Sequence, residues 1–324
     1  MIRELQPDVT DWLLDGDPSI RWQVMSDVLG VSAPAAERER RRVATEGWGA
    51  RLLAFQDRTG TWGAGLYNPK WTSTTYTLLL LRDFGLPPNA SVHRACALLL
   101  DNGLRPDGGV NFGRPERSET CITGMVLSIV CRYGYDDRRL DTIADYLLDQ
   151  QMPDGGWNCR YPRGAVHASV NTTISVLEGL RDYQLHRRRK HREVRAAQSR
   201  GREFLLVHHL FRSHRTGRII KPEFTRLSFP PRWHYDILRA LDYFQSVDAP
   251  RDLRLEEAIG LLRKKQRLDG RWPLEHIYTG KSFFQLERVG SPSRWITMRA
   301  LRVLRWWENA HLFHTYSPVA PTVE

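Results

Sequence analysis

Residues 151–157, QMPDGGW, decide how the whole chain is read, because their pattern Gln-x-x-x-Gly-x-Trp occurs three times: Gln56/Gly60/Trp62, Gln151/Gly155/Trp157 and Gln266/Gly270/Trp272. A decayed copy stands at residues 105–109, RPDGG. Glycine and Asp-Gly stop a helix by taking backbone conformations that other residues avoid. Each copy therefore closes one helical pattern, and after a short loop a new apolar helix follows. Self-similarity with a period of several tens of residues is the mark of a repeat architecture.

Working outward, the helices that follow the copies can be laid over one another: residues 71–84 (WTSTTYTLLLLRDF), 119–133 (ETCITGMVLSIVCRY), 169–183 (SVNTTISVLEGLRDY), 233–244 (WHYDILRALDYF) and 294–307 (RWITMRALRVLRWW). Residues 19–29 (SIRWQVMSDVL) supply a sixth. Starts at 19, 71, 119, 169, 233 and 294 are spaced so that each period holds two helices and two turns.

The alternate helices fall at 35–55, 90–102, 138–150, 192–210 and 253–266. They carry apolar residues at three- and four-residue spacing among many charges, as in Leu140, Ile143, Ala144, Leu147 and Leu148. Such helices expose one face to water. The first set, rich in small, hydroxyl and apolar residues, is expected to be buried on more sides. Buried helices inside and amphipathic helices outside, about six times over, predict an all-α chain folded as an (α/α)6 toroid. One such domain is expected over 1–315, with a short Pro-containing tail over 316–324. The basic run LHRRRKHR at 185–192 lacks apolar periodicity and reads as a solvated insertion.

Composition sets the outer limits. Of the 324 residues, 26% are charged and 41% hydrophobic, a globular balance that excludes wholesale disorder. A formal charge of +11, from 48 Lys and Arg against 37 Asp and Glu, suits an anionic partner: nucleic acid, a membrane surface or a phosphorylated small molecule. Specific nucleic-acid binding is not expected, since the cations are spread along the chain and no zinc-finger or helix-turn-helix signal accompanies them. The four cysteines (96, 121, 131, 159) form no CxxC pair and the first residues lack a signal-peptide pattern, so a reduced, cytoplasmic setting is expected. The longest apolar run, Leu78 to Leu81, is far short of the ~20 residues a membrane span needs, so any membrane contact would be peripheral.

In a toroid the amino termini of the inner helices meet at one end, where partial positive charge and unpaired N–H groups suit an anionic head group. Lys70, Arg114, Arg117, Arg160, Arg163, Arg232, Lys281 and Arg294 all lie just before or at inner-helix starts. The aromatics Trp71, Tyr76, Trp157, Trp233, Tyr235 and Trp295 fall at the same starts or loops, as cavity lining or as plain core. Residues 108–127, GGVNFGRPERSETCITGMVL, concentrate the chemistry. Glu119 and Cys121, two residues apart at a helix entrance beside Arg114 and Arg117, are a candidate zinc pair next to an anion pocket. The bland alternative is a basic loop and a satisfied buried thiol.

Three Gln-x-x-x-Gly-x-Trp copies on helical hairpins resemble the repeat of the squalene cyclase and protein prenyltransferase superfamily over nearly the whole chain. The resemblance implies the toroid fold and a terpene cyclase- or prenyltransferase-like enzyme handling an isoprenoid or lipid-like small molecule with a diphosphate-like head. Class II cyclases of that superfamily protonate an alkene with the middle Asp of an Asp-x-Asp-Asp-Thr-Ala run. In the matching register this chain has Glu119-Thr120-Cys121-Ile122-Thr123-Gly124, so a thiol replaces the acid. With an unperturbed pKa near ~8.5, a thiol is too weak an acid for that step.

Prenyltransferase β-subunits are similar at Gly113-Arg114-Pro115-Glu116-Arg117, followed by Glu119 and Cys121. Carried over, Arg114 and Arg117 would grip a diphosphate, and Glu119 and Cys121 would hold zinc. The family's third ligand, a histidine, has no counterpart in register; His167 and His234 are the nearest substitutes. Glu119, Cys121 and Asp236 are thus the candidate catalytic residues. Arg114, Arg117, Trp71, Trp157, Trp233, Tyr235 and Arg294 are the candidate substrate contacts, and Glu119, Cys121, His167 and His234 the candidate metal ligands.

Two other readings stand beside this one. A glycosidase needs two carboxylates roughly 5 to 10 Å apart, for which Glu119 and Asp236 are the candidates. A binding or scaffold toroid that lost the acid motif needs neither.

Overall fold

The computed structural model describes residues 7–113, 117–187 and 191–309, which run as helices joined by turns, with isolated β-bridges and no strand among them. In chain order the helices are α1 (Pro7–Leu14), α2 (Pro18–Gln23, prolonged by the π-helical turn Val24–Val28), α3 (Ala33–Arg41), α4 (Gly47–Ala54) and α5 (Thr74–Phe84). Next come α6 (Ala90–Gly103), α7 (Thr120–Arg132), α8 (Arg139–Asp149) and α9 (Val170–His186). The chain ends on α10 (His191–Val207), α11 (Ile237–Ser246), α12 (Glu256–Lys264) and α13 (Arg294–Asn309). Arg114 and the tail expected over 316–324 lie outside the described residues.

The sequence repeat proves to be a latch between an outer helix and the inner helix that follows. Its glycine takes positive φ in every copy, 89° at Gly60, 89° at Gly155 and 76° at Gly270, a region open to glycine at no steric cost. The indole N–H of Trp62, Trp157 and Trp272 donates 2.7 Å to the carbonyl of Leu52, Leu147 and Leu262, on the helix just ended. Each tryptophan's backbone N–H donates to a threonine hydroxyl on the next inner helix: Thr74 at 3.1 Å, Thr173 at 3.0 Å and Thr297 at 2.9 Å. The decayed copy keeps this link, from the Val110 N–H to Thr123 at 2.9 Å.

The inner helices α2, α5, α7, α9, α11 and α13 stand side by side in a closed ring. α5, α7 and α9 are buried on nearly every face, whereas the outer α8, α10 and α12 bury a single stripe. The tightest crossing is α7 on α9. A Cβ built on Gly179 would stand 2.5 Å from the Gly124 carbonyl oxygen, so only glycine admits that approach. The ring closes between its last and first helices, where Arg302 of α13 bridges Asp27 (2.7 Å) and Asp242 (2.6 Å) and the Arg294 Nε donates 2.8 Å to the Trp12 carbonyl.

The expected outer helix at 35–55 is broken in two. Gly47 sits at φ 63° so close to Asp17 that a Cβ there would overlap its carboxylate, and Asp17 accepts the Trp48 N–H at 2.7 Å. Trp71 and Trp233 precede their helices, which start at Thr74 and Ile237. None of the described helices is long and apolar enough to cross a membrane.

Candidate functional site

The amino-terminal end of α7 carries the densest cluster of potential ligands. Glu119 is the residue before the first turn, Cys121 lies in that turn, and Cys159 reaches them from the loop after the Trp157 latch. The ligand atoms of the three lie within 4.8 Å of one another, and all three residues are half-buried. Cys159 Sγ accepts the Cys121 backbone N–H at 3.2 Å and lies 3.4 Å from the Thr172 hydroxyl. Hydrogen bonds from Cys121 and Thr172 outweigh burial and draw the Cys159 thiol below its ordinary value. Cys121, on the giving side of that bond and close to Glu119, loses contact with water as well and is pushed well above its own. Two cysteine sulfurs beside a glutamate side chain are a donor set suited to zinc, which takes Cys sulfur and carboxylate oxygen and keeps an open position when only three protein ligands are present.

Neither histidine expected as third ligand belongs to this group. His167 is exposed, in the loop before α9. His234 is clamped between Trp233 (ring centroids 3.7 Å) and Tyr278 (3.5 Å, 3° between planes). Burial and the cations Arg239 and Lys70 lower it to about 3, so it stands neutral. Cys159 is hidden in the sequence because it is out of register with the start of the next inner helix, where a third ligand is expected. The available signal was its position, two residues after a repeat tryptophan and hence at the same end of the ring as Cys121.

Aromatic faces gather beside the trio. The Tyr76 hydroxyl donates to that of Tyr67 at 2.8 Å, Tyr67 stacks on Phe112, and Trp71 meets Tyr76 edge-on at 4.8 Å. The Lys70 ammonium lies 5.5 Å from the Tyr67 ring centroid, 5.8 Å from Trp71 and 5.7 Å from Trp233. On the far side of Trp71 an apolar cavity of about 220 Å³ is lined by Leu52, Leu80, Phe229, Phe284 and Leu286. The Arg232 guanidinium enters it 5.5 Å over Trp71, and burial lowers its pKa to about 10. The strap over this cavity is tied down by the Trp71 indole, which donates to the carbonyls of Tyr278 (3.1 Å) and Thr279 (2.9 Å).

The other expected contacts lie elsewhere. Arg117 is exposed at the same end, near the Pro162 carbonyl. Arg294 faces away, stacked on Trp12 at the ring seam. Trp157 is fully buried in its latch, and Tyr235 is core, with its hydroxyl on the Leu210 carbonyl at 2.6 Å. Asp236 is fully buried and caps α11: it accepts the Arg239 N–H (2.8 Å), the Ser228 N–H (3.1 Å) and the Ser228 hydroxyl (2.5 Å). A carboxylate so occupied performs the threonine's latch duty in this repeat.

The sequence matches no protein-family profile and no curated protein. Among solved structures it is similar to a protein from Actinoplanes (16% identity, covering 90% of each chain, TM-score 0.47). It is also similar to the type II terpene cyclase MstE from Scytonema (15%, 85% of this chain and 98% of that one, 0.35). A third is an unsaturated glucuronyl hydrolase specific for heparin (11%, 91% and 85%, 0.48). Likeness at this level carries neither substrate nor reaction to this chain.

Proposed function

We propose that this chain is a prenyltransferase-like toroid enzyme that takes an isoprenoid or similar lipid-like molecule, head first, at the amino-terminal end of its inner ring. A zinc ion held by Glu119, Cys121 and Cys159 is part of the proposal. The observation that carries it is the convergence of those three donors beside aromatic faces and the Lys70 ammonium. Zinc bound there supplies a Lewis acid to an oxygen or sulfur placed at its open position. Arg114, Arg117 and Lys70 bind the anionic head, arginine's planar fork matching phosphate oxygens. Tyr67, Trp71, Tyr76 and Trp233 shield the chain from water and offer faces to developing positive charge. Proton-initiated cyclisation fits less well, because the residue in the acid's register is Cys121, whose thiol is held well above its usual range.

Metal analysis of the purified protein is expected to give about one zinc per chain, with Cys121→Ala and Cys159→Ala each losing it. Farnesyl and geranylgeranyl diphosphate are expected to bind and to be consumed when a small nucleophile is offered. Absence of metal together with absence of binding across isoprenoids sinks the reading and leaves a scaffold toroid.

A further inference from the structure

A second cavity, of about 390 Å³, occupies the opposite end of the ring. All six inner helices line it, and Phe229 and Trp295, stacked at 4.1 Å, form part of its wall. Where the first end is aromatic, this one is ionic. Six arginines line it: Arg82, Arg132, Arg181, Arg239, Arg299 and Arg302.

Most of these charges are matched. Arg239 binds Glu178 through Nε (2.8 Å) and Nη2 (2.9 Å). Arg82 pairs with Asp83 at 2.8 Å, Arg181 with Asp182 at 2.9 Å, and Arg302 with Asp27 and Asp242. Arg299 reaches Asp242 with Nε alone, at 3.1 Å. Five carboxylates, four of them in the cavity wall, thus serve six guanidinium groups. The surplus is local: the side chain of Arg132, exposed at the rim, makes no ion pair or hydrogen bond among the described residues. Arg299 is 6% exposed and keeps Nη1 buried without a partner.

Neutralising helix ends does not account for this. Cations at the carboxyl ends of helices do complement the dipole, which covers Arg82 and Arg132 in the last turns of α5 and α7. Arg239 and Arg299 lie instead in the first two turns of α11 and α13, where the dipole already favours an anion. A buried guanidinium N–H without an acceptor is costly, which singles out Arg299, whereas Arg132 stands open to water at the rim.

We infer that this recess is a binding site for a small phosphate-bearing molecule, separate from the zinc trio, with Arg132 and the free edge of Arg299 as its gripping groups. Arginine recognises phosphate oxygens through charge-assisted hydrogen bonds, strengthened where water is excluded.

The test is calorimetric titration of the full chain with orthophosphate, against sodium chloride of equal ionic strength, with succinate as a second arm. Saturable phosphate binding is expected, weakened at least ten-fold by Arg132→Gln and by Arg299→Lys. Arg132→Gln removes no ion pair, so its melting temperature is expected to stay at the wild-type value, which separates lost binding from lost fold. Three results overturn the inference: no phosphate binding beyond the salt effect, binding indifferent to both substitutions, or binding of succinate but not of phosphate.

Discussion

Glu178 shows how one residue's environment sets its charge. Burial alone would raise its carboxyl, but Arg239 and Arg82 override that and hold it at about 2, below its ordinary 4.5. The folded state therefore binds this proton more weakly than the unfolded chain. The stability so gained is fully present above pH ~4.5 and is lost as pH falls from there towards about 2. Glu178→Gln is expected to flatten that part of the acid-denaturation curve. It should also cost ~3–5 kcal/mol at pH 7, since it strands Arg239 in a buried site. Chemical denaturation across that pH range reads both effects. The same scale explains what the sequence concealed: Asp236 looked catalytic from its place at a helix start, and only its three hydrogen bonds reveal a cap. Cys159 was invisible as a ligand because its distance from Cys121 is short in space and long in sequence.

At the scale of elements, the reading was carried by punctuation. Gly60, Gly155 and Gly270 marked where outer helices end, and apolar spacing marked which helices are inner, so the ring's order was legible before any contact was known. Helix starts at Thr74 and Ile237 were less so, because the tryptophans before them are apolar without being helical. Nor does spacing record how closely two helices approach. Gly124 and Gly179 do, and set beside Gly260 they give opposite expectations for two similar changes. Gly179→Ala drives a methyl group into the Gly124 backbone and is expected to destabilise by ~1–3 kcal/mol, the range for overpacking. Gly260→Ala, on outer helix α12 with nothing within 4 Å of the added Cβ, is expected to stabilise by ~0.5–1 kcal/mol. Thermal melts of the two variants decide whether α7 and α9 meet as closely as described.

For the whole molecule, the question is what makes a row of hairpins a closed ring. Neighbouring hairpins are joined by latches that the chain makes as it runs, but the first and last must find each other across nearly the full sequence. The seam is ionic: Arg302 of α13 crosses it to Asp27 beside α2 (2.7 Å), and is held in place by Asp242 of the neighbouring α11 (2.6 Å), which also receives Arg299 (3.1 Å). Both arginines and the aspartate are largely withdrawn from water, so the attraction is little screened, and removing the shared acceptor leaves two buried cations facing each other. Asp242→Asn is therefore expected to cost ~3–5 kcal/mol. The cost should fall unevenly: amide exchange is expected to quicken in α2 and α13, which flank the seam, while α7 and α9, locked at Gly124 and Gly179, keep their protection. Uniform acceleration over all six inner helices would mean that the ring opens only by global unfolding, and that the seam is no weaker than any other join.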